Sequence, residues 1–310
     1  KKLLTLIILF TSTVVSAGNL IINSNQSGAS SKAGFDAYVD AFRAAHPEVT
    51  VVVNEFEHEA YKTAIRNFLT AEAPDVAIWF AGNRMKFFVD QGLFQDVSDV
   101  WADAGLNDSM ASSKGSLTVD GKQYGVPWGY YQWGVYYRKD LFDNLDLNVP
   151  KNWEEFKSVC AMLKKNGITP ITIGTKYLWT AGGWFDYLNL RINGYQFHMD
   201  LTAGKVSYED PRLDATFDHW RELLDAEYFL EDHASFSWQD AQAPQINGEA
   251  AMYLIGNFYV PTLEEAGVKD KMDFFQFPTI VEGVGVAEDA PTDTMHIPSG
   301  AKNVEDAKKF

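Results

Sequence analysis

The spacing of apolar positions along this chain changes period several times, and each change marks an element. "NLIIN" at residues 19–23 is a short apolar run that ends in the polar loop "SNQSGASSK". Phe35, Tyr38, Val39 and Phe42 then recur on one helical face within "GFDAYVDAFRAAHP". The order is strand, loop, helix. "VTVVVNEF" and "PDVAIWF" read as two further strands with the helix "EAYKTAIRNFLTAE" between them, an alternation that predicts a parallel sheet wrapped by helices. Open sheets of this kind bind ligands beyond the carboxyl ends of their strands, so the loops "SNQSG" and "WFAGNR" should share one edge.

"KFFVDQGLFQDVSDVW" reads as a helix closed by Gly92 with an amphipathic continuation, and "LTVDGKQYGVPW" as a hairpin turning at Asp120 and Gly121. Residues 127–137, "PWGYYQWGVYY", carry six aromatic rings, two glycines and no charge. Tyr131, Trp133, Val135 and Tyr137 alternate with Trp128, Tyr130 and Tyr136, so both faces are apolar and the stretch reads as one internal strand. The alternation then restarts: "NWEEFKSVCAMLKKNG" is a helix closed by Gly167, "ITPITIG" a strand, "TFDHWRELLDAEYF" a helix, and "GEAAMYLIGNF" a small-residue turn with a buried strand. Two α/β lobes joined around residues 125–130 are the simplest organisation.

The two ends change that picture. Lys1 and Lys2 precede the apolar run "LLTLIILF", and "VSA" offers small residues for cleavage, which predicts a signal peptide over residues 1–17 and a mature chain from near Gly18. The new terminus has no cysteine to take a lipid, and no later run reaches the ~20 apolar residues that span a bilayer. The expectation is a free protein in the periplasm. "AKNVEDAKKF" reads as the start of a helix capped by Asn303, with further helical sequence expected beyond it.

Charge and chemistry narrow the function. The chain has 26 basic and 42 acidic residues among 310, a formal charge of -16 that would repel nucleic acid and anionic lipid. The one cysteine, Cys160, shares a helical face with Phe156, Val159 and Leu163 and reads as a buried structural thiol. There is no "GxxxxGK[ST]" or "GxSxG", and "GVGV" near Gly283 lacks the third glycine of a dinucleotide turn, so no cofactor is implied.

Several blocks, in order, resemble a known family: "HPEVTVVV", "APDVAIWFAGNRMKFFVDQGLFQDVSDVW", "YGVPWGYYQWGVYYRKDLFDNLDL", "PKNWEEF", "GGWFDYLNLRING", "FSWQDAQAPQINGEAAMYLIGNF" and "IPSGAKNVEDAKKF". Together they cover essentially everything after the signal peptide, and they resemble the extracellular solute-binding proteins of carbohydrate ABC transporters, the family that includes maltose-binding proteins. The resemblance implies an α/β, two-lobed periplasmic binding protein fold of type II, each lobe a mainly parallel sheet flanked by helices. Residues 18–125 and 287–310 would form the first lobe and residues 126–286 the second, with a C-terminal helical segment to follow. It also implies a monomer that closes on a mono- or oligosaccharide and delivers it to an inner-membrane ABC permease, breaking no bond.

Sugars present apolar C–H faces and hydroxyl edges, so a site for them combines aromatic rings with planar amides and carboxylates. The candidates are Gln26, Ser27, Trp79, Asn83, Trp128, Tyr130, Trp184, Asp186, Trp238, Asp240, Asn257 and Asp293. Trp184 and Trp238 stand out because each follows a glycine or serine in a predicted loop, whereas Trp101, Trp153 and Trp220 read as core. Gln26 and Ser27 could equally cap the first helix, and the carboxylates could cap helices or hold a hinge. A secreted glycosidase would draw its acid pair from Asp186, Asp240, Glu249 or Asp293. The same clamp could instead hold ferric iron through Tyr130 with Tyr131 or Tyr136 with Tyr137, or a polyamine between Asp and Trp side chains.

Overall fold

The computed structural model describes residues 18–310; the expected signal peptide lies outside the described residues. The first unit begins with β1 (Asn19–Ser24), α1 (Ala29–Ala45), β2 (Thr50–Glu55), α2 (His58–Ala71), β3 (Val76–Phe80) and α3 (Asn83–Val89). Phe35, Val39 and Phe42 face inward from α1, and Tyr61, Ile65 and Leu69 from α2, as their spacing requires. Three short helices follow, α4 (Ser98–Asp103), α5 (Leu106–Ser109) and α6 (Ala111–Lys114), then the hairpin β4 (Thr118–Val119) and β5 (Lys122–Gln123). Its turn residues Asp120 and Gly121 both take positive φ, the conformation that lets a two-residue hairpin follow the strand twist.

The aromatic stretch is not one strand. It breaks into β6 (Val126–Tyr130), an edge strand of the first sheet, and β7 (Trp133–Arg138), an inner strand of the second. Both faces of the sequence are apolar because partly buried β6, with Trp128 and Tyr130 on the chamber, runs directly into fully buried β7, and alternation alone cannot distinguish that from a single strand buried on both sides. The expected start of the second lobe at residue 126 therefore moves: Val126 to Tyr130 pair with the first sheet, and the crossing lies at Tyr131 and Gln132.

The second unit continues with α7 (Lys139–Asn144), α8 (Trp153–Lys165), β8 (Thr169–Ile171), α9 (Trp179–Ile192), α10 (Gly194–Thr202), α11 (Leu213–Asp225), α12 (Gln242–Asn247), β9 (Ala250–Gly256), α13 (Val260–Glu265) and β10 (Met272–Phe275). The chain then returns to the first unit as β11 (Thr292–His296) and ends in α14 (Val304–Lys309). Cys160 is fully buried in α8, as its helical face requires.

The first sheet has the order β2-β1-β3-β11-β6 and the second β10-β7-β9-β8. In each, one strand opposes the rest: β11 runs antiparallel to both its neighbours, and so does β7. These are the two strands that enter a sheet directly after a crossing. Each sheet has its own core, one around Leu20, Tyr61, Ile78 and Trp101, the other around Phe156, Trp184, Tyr253 and Phe277.

The two crossings run side by side. The amide of Tyr131 donates to Pro291 O at 3.1 Å and that of Trp133 to Asp289 O at 3.1 Å, so the outgoing and returning strands form a two-stranded hinge. Buried Arg191 of α9 anchors the returning segment through Phe277 O, Ala287 O and the Glu288 carboxylate. Among the described residues no helix is long and apolar enough to cross a membrane.

Candidate functional site

The hinge and the facing ends of the two sheets enclose a chamber of about 1100 Å³. The loop after β1 contributes Asn25, Gln26 and Ser27, and the loop after β3 contributes Phe80 to Arg84, so the two loops expected at one edge do meet there. The opposite wall comes from the second unit: Trp179, Asp186, Trp238, Asn257 and Phe258. Tyr131 and Asp289 project from the hinge between them.

Asp293 on β11 is a buried carboxylate on the chamber wall. Its carboxylate accepts from Gln26 Nε2 at 3.1 Å and from the Tyr131 hydroxyl at 3.4 Å. Burial raises its pKa to about 6, against the lowering effect of those two bonds and of nearby Arg84 and Lys62. Asp186 is raised further, to about 7, by burial and by the charge of Asp289. Asp289 itself is raised to about 6 by burial and by Glu288. His58, buried and close to Lys62, is held down at about 4 and is neutral. The chamber therefore offers three carboxyl groups that ionise reluctantly and gain from any hydroxyl donor brought to them.

The rings supply the second requirement. Trp179, Trp238 and Phe258 pack edge to face at centroid distances of 6.0, 5.1 and 6.3 Å, an arrangement that holds each ring plane fixed. Trp128 lies across the chamber, braced by Phe35 at 5.4 Å and Tyr38 at 6.0 Å. Tyr130 stands at the mouth, 72% exposed.

Of the twelve residues expected from sequence, the chamber brings together Gln26, Ser27, Asn83, Trp128, Tyr130, Asp186, Trp238, Asn257 and Asp293. Three fall elsewhere. Trp184 lies within α9, not in a loop, and is fully buried against Phe156, Phe229 and Phe277. The glycines before it are helical residues, and Gly183 is there because a Cβ would meet the Trp133 ring at 2.4 Å. Trp79 is 5% exposed in the first core, where its Nε1 donates to Arg84 O. Asp240 is exposed and its carboxylate accepts from the amide and hydroxyl of Ser237, a local turn. Ser27 also accepts from the amide of His58, the first residue of α2, which is a structural role beside its place on the wall.

Residues not singled out from sequence include Lys62, Trp179, Phe258 and Asp289, whereas Arg84 ends the loop "WFAGNR" expected at this edge and Tyr131 entered only as a candidate iron ligand. Asp289 carried a usable signal, four positions before Asp293 in the returning segment; Lys62 carried none, because it sits in a helix of ordinary composition.

Comparison with known proteins agrees with this architecture. Residues 26–310 match the family model described as bacterial extracellular solute-binding protein. The solved bacterial solute receptor AcbH, described as having an exclusive preference for β-D-galactopyranose, superposes with a TM-score of 0.87 at 36% identity, covering 94% of this chain and 74% of that one. An uncharacterised ABC transporter extracellular-binding protein of Pyrococcus horikoshii is 25% identical over 286 residues, 90% of this chain and 64% of the relative. A multiple sugar-binding protein of Streptococcus mutans is 24% identical over 290 residues, 84% of this chain and 66% of the relative. The chain thus spans about two thirds of the length of these curated relatives. With its two sheets, paired crossings and enclosed chamber, it belongs to the bacterial extracellular solute-binding protein family.

Proposed function

We propose that this protein is the substrate-binding receptor of a carbohydrate ABC transporter, exported to the periplasm, where it captures a mono- or short oligosaccharide and presents the closed form to a membrane permease. The observation that carries this reading is the chamber wall itself, in which a fixed cluster of rings on one lobe faces a buried carboxylate held by an amide and a phenol on the other. A pyranose needs both surfaces at once. Contacts from both lobes also make closure the mechanism, since a ligand shifts a hinge only by binding the closed state better than the open one.

The relatives support the substrate class, and AcbH, the galactopyranose receptor, makes galactose the first sugar to try. A polyamine fits the carboxylates but not Lys62 and Arg84, two cations on the same wall. Of the candidate iron-binding pairs, Tyr136 and Tyr137 are buried in the second sheet, while Tyr130 and Tyr131 line the chamber without a His, Cys, Asp and Glu cluster of metal-site size among the described residues. Of the candidate glycosidase carboxylates, Asp240 and Glu249 are not on the wall, while Asp186 and Asp293 are. A thermal-shift screen against mono-, di- and trisaccharides, with spermidine and ferric salt alongside, tests the reading. A rise in melting temperature with one sugar group is expected by mass action. A rise with spermidine or iron and none with any sugar would overturn it.

A further inference from the structure

Helices α2 and α3 leave a second groove between them, about 650 Å³ in volume, on the outer side of the chamber wall. Lys62, Arg66 and Arg84 line it over a floor that includes Trp79 and Phe87, and no carboxylate lines it. That runs against the rest of the molecule, which carries a formal charge of -16.

The two guanidinium groups are held by aromatic rings rather than by direct ion pairs. Arg84 lies over Phe80 at 3.9 Å and Trp79 at 4.9 Å, and Arg66 over Phe87 at 5.1 Å. Stacking of this kind fixes the plane of a guanidinium and leaves its N–H edge free for two oxygens of an oxyanion. Among the described residues, neither side chain makes a hydrogen bond or ion pair with the protein; their backbone carbonyls alone appear as acceptors. Lys62 differs, since it pairs with Glu59 at 3.0 Å and brings less net charge. Burial lowers the pKa of Arg84, against the raising effect of the charges of Tyr131, Asp293 and Glu59, none of which is in ion-pair contact with it.

The groove and the chamber adjoin, since Lys62, Asn83 and Arg84 line both. We propose that the groove is an anion subsite which reads an acidic substituent, a carboxylate or a sulfate ester, on a saccharide unit beyond the one held in the chamber. The proposal rests on the saccharide reading of the chamber.

The test is calorimetric titration of the wild-type protein and of Arg66→Gln with galactose, digalactose, digalacturonic acid and a disaccharide of galactose 6-sulfate. Arg66 lines the groove and not the chamber, so the variant leaves the ring site as it is. The expected result is that an acidic disaccharide binds roughly tenfold tighter than digalactose, as two charge-assisted bonds imply. Arg66→Gln should remove about fivefold of that and change the neutral sugars less than twofold, and the acidic preference should shrink with added salt. Preference for the uronate identifies a carboxylate, and preference for the sulfated sugar a sulfate ester. Equal binding of neutral and acidic disaccharides, unaffected by Arg66→Gln, overturns the subsite and leaves the receptor reading intact. Absence of binding by every sugar in a correctly folded protein overturns both.

Discussion

The indole Nε1 of Trp179 donates to Glu59 Oε1 at 2.9 Å, and this bond ties α9 of the second lobe to α2 of the first. Lys62 adds to it, pairing with Glu59 at 3.0 Å and lying 5.6 Å over the Trp179 ring. Asn83 Nδ2 makes a second bridge, to Thr202 O at 2.9 Å. These contacts join the lobes on the rim of the chamber, away from the hinge. Glu59→Ala should therefore favour the open form: a hydrogen bond to a charged group contributes about 1.5 kcal/mol, so ligand affinity should fall roughly tenfold. Small-angle scattering should show a larger radius of gyration for the ligand-free variant and an unchanged one at saturating ligand.

Trp184 and Trp238 separate folding from binding. Removing the fully buried Trp184 ring should cost about 3–5 kcal/mol of stability and lower the melting temperature sharply. Trp238→Ala, on the chamber wall, should weaken sugar binding by about 2 kcal/mol, some thirtyfold, with a much smaller loss of stability. Thermal melts and calorimetry on the two variants check both halves.

The three chamber carboxyls make binding depend on pH. A sugar hydroxyl that donates to a carboxylate favours its charged form, so the complex should ionise at lower pH than the free protein. Binding should then release protons near pH 6 and tighten between pH 5 and pH 8, through the values near 6 and 7 of Asp293, Asp289 and Asp186. Titrations in two buffers of different ionisation heat measure the release.

Stability of the ligand-free protein runs the other way. A carboxyl whose folded value lies above its unfolded 3.8 contributes stability that is present below 3.8 and lost as pH rises through about 7. Asp186→Asn should accordingly raise the melting temperature of the free protein at pH 8 more than at pH 4, and lower sugar affinity at pH 8. Melts at the two pH values decide it.

Most of the first lobe was legible in the sequence because its strands and helices keep clean periods: Phe35, Val39 and Phe42 are buried together, and Asp120 with Gly121 turn the hairpin. What hid was where local pattern has two physical solutions. "PWGYYQWGVYY" is apolar on both faces whether it is one inner strand or two strands of separate cores. "GGW" suggests a loop, yet Gly183 sits in a helix because the Trp133 ring leaves no room for a side chain. Nine of the twelve expected site residues share the chamber because ring, amide and acid types were sought near predicted strand ends. Lys62 was not legible, since a cation on a helix surface looks the same in sequence whether it faces solvent or a cleft.

A clamp requires that both lobes hold the ligand. Calorimetric titration of Asp293→Asn, from the first lobe, and Trp238→Ala, from the second, against the sugar that stabilises the wild type tests it most directly. Each substitution should weaken binding at least tenfold while the protein stays folded. Full affinity in either variant would mean that one lobe binds alone, and would contradict the clamp.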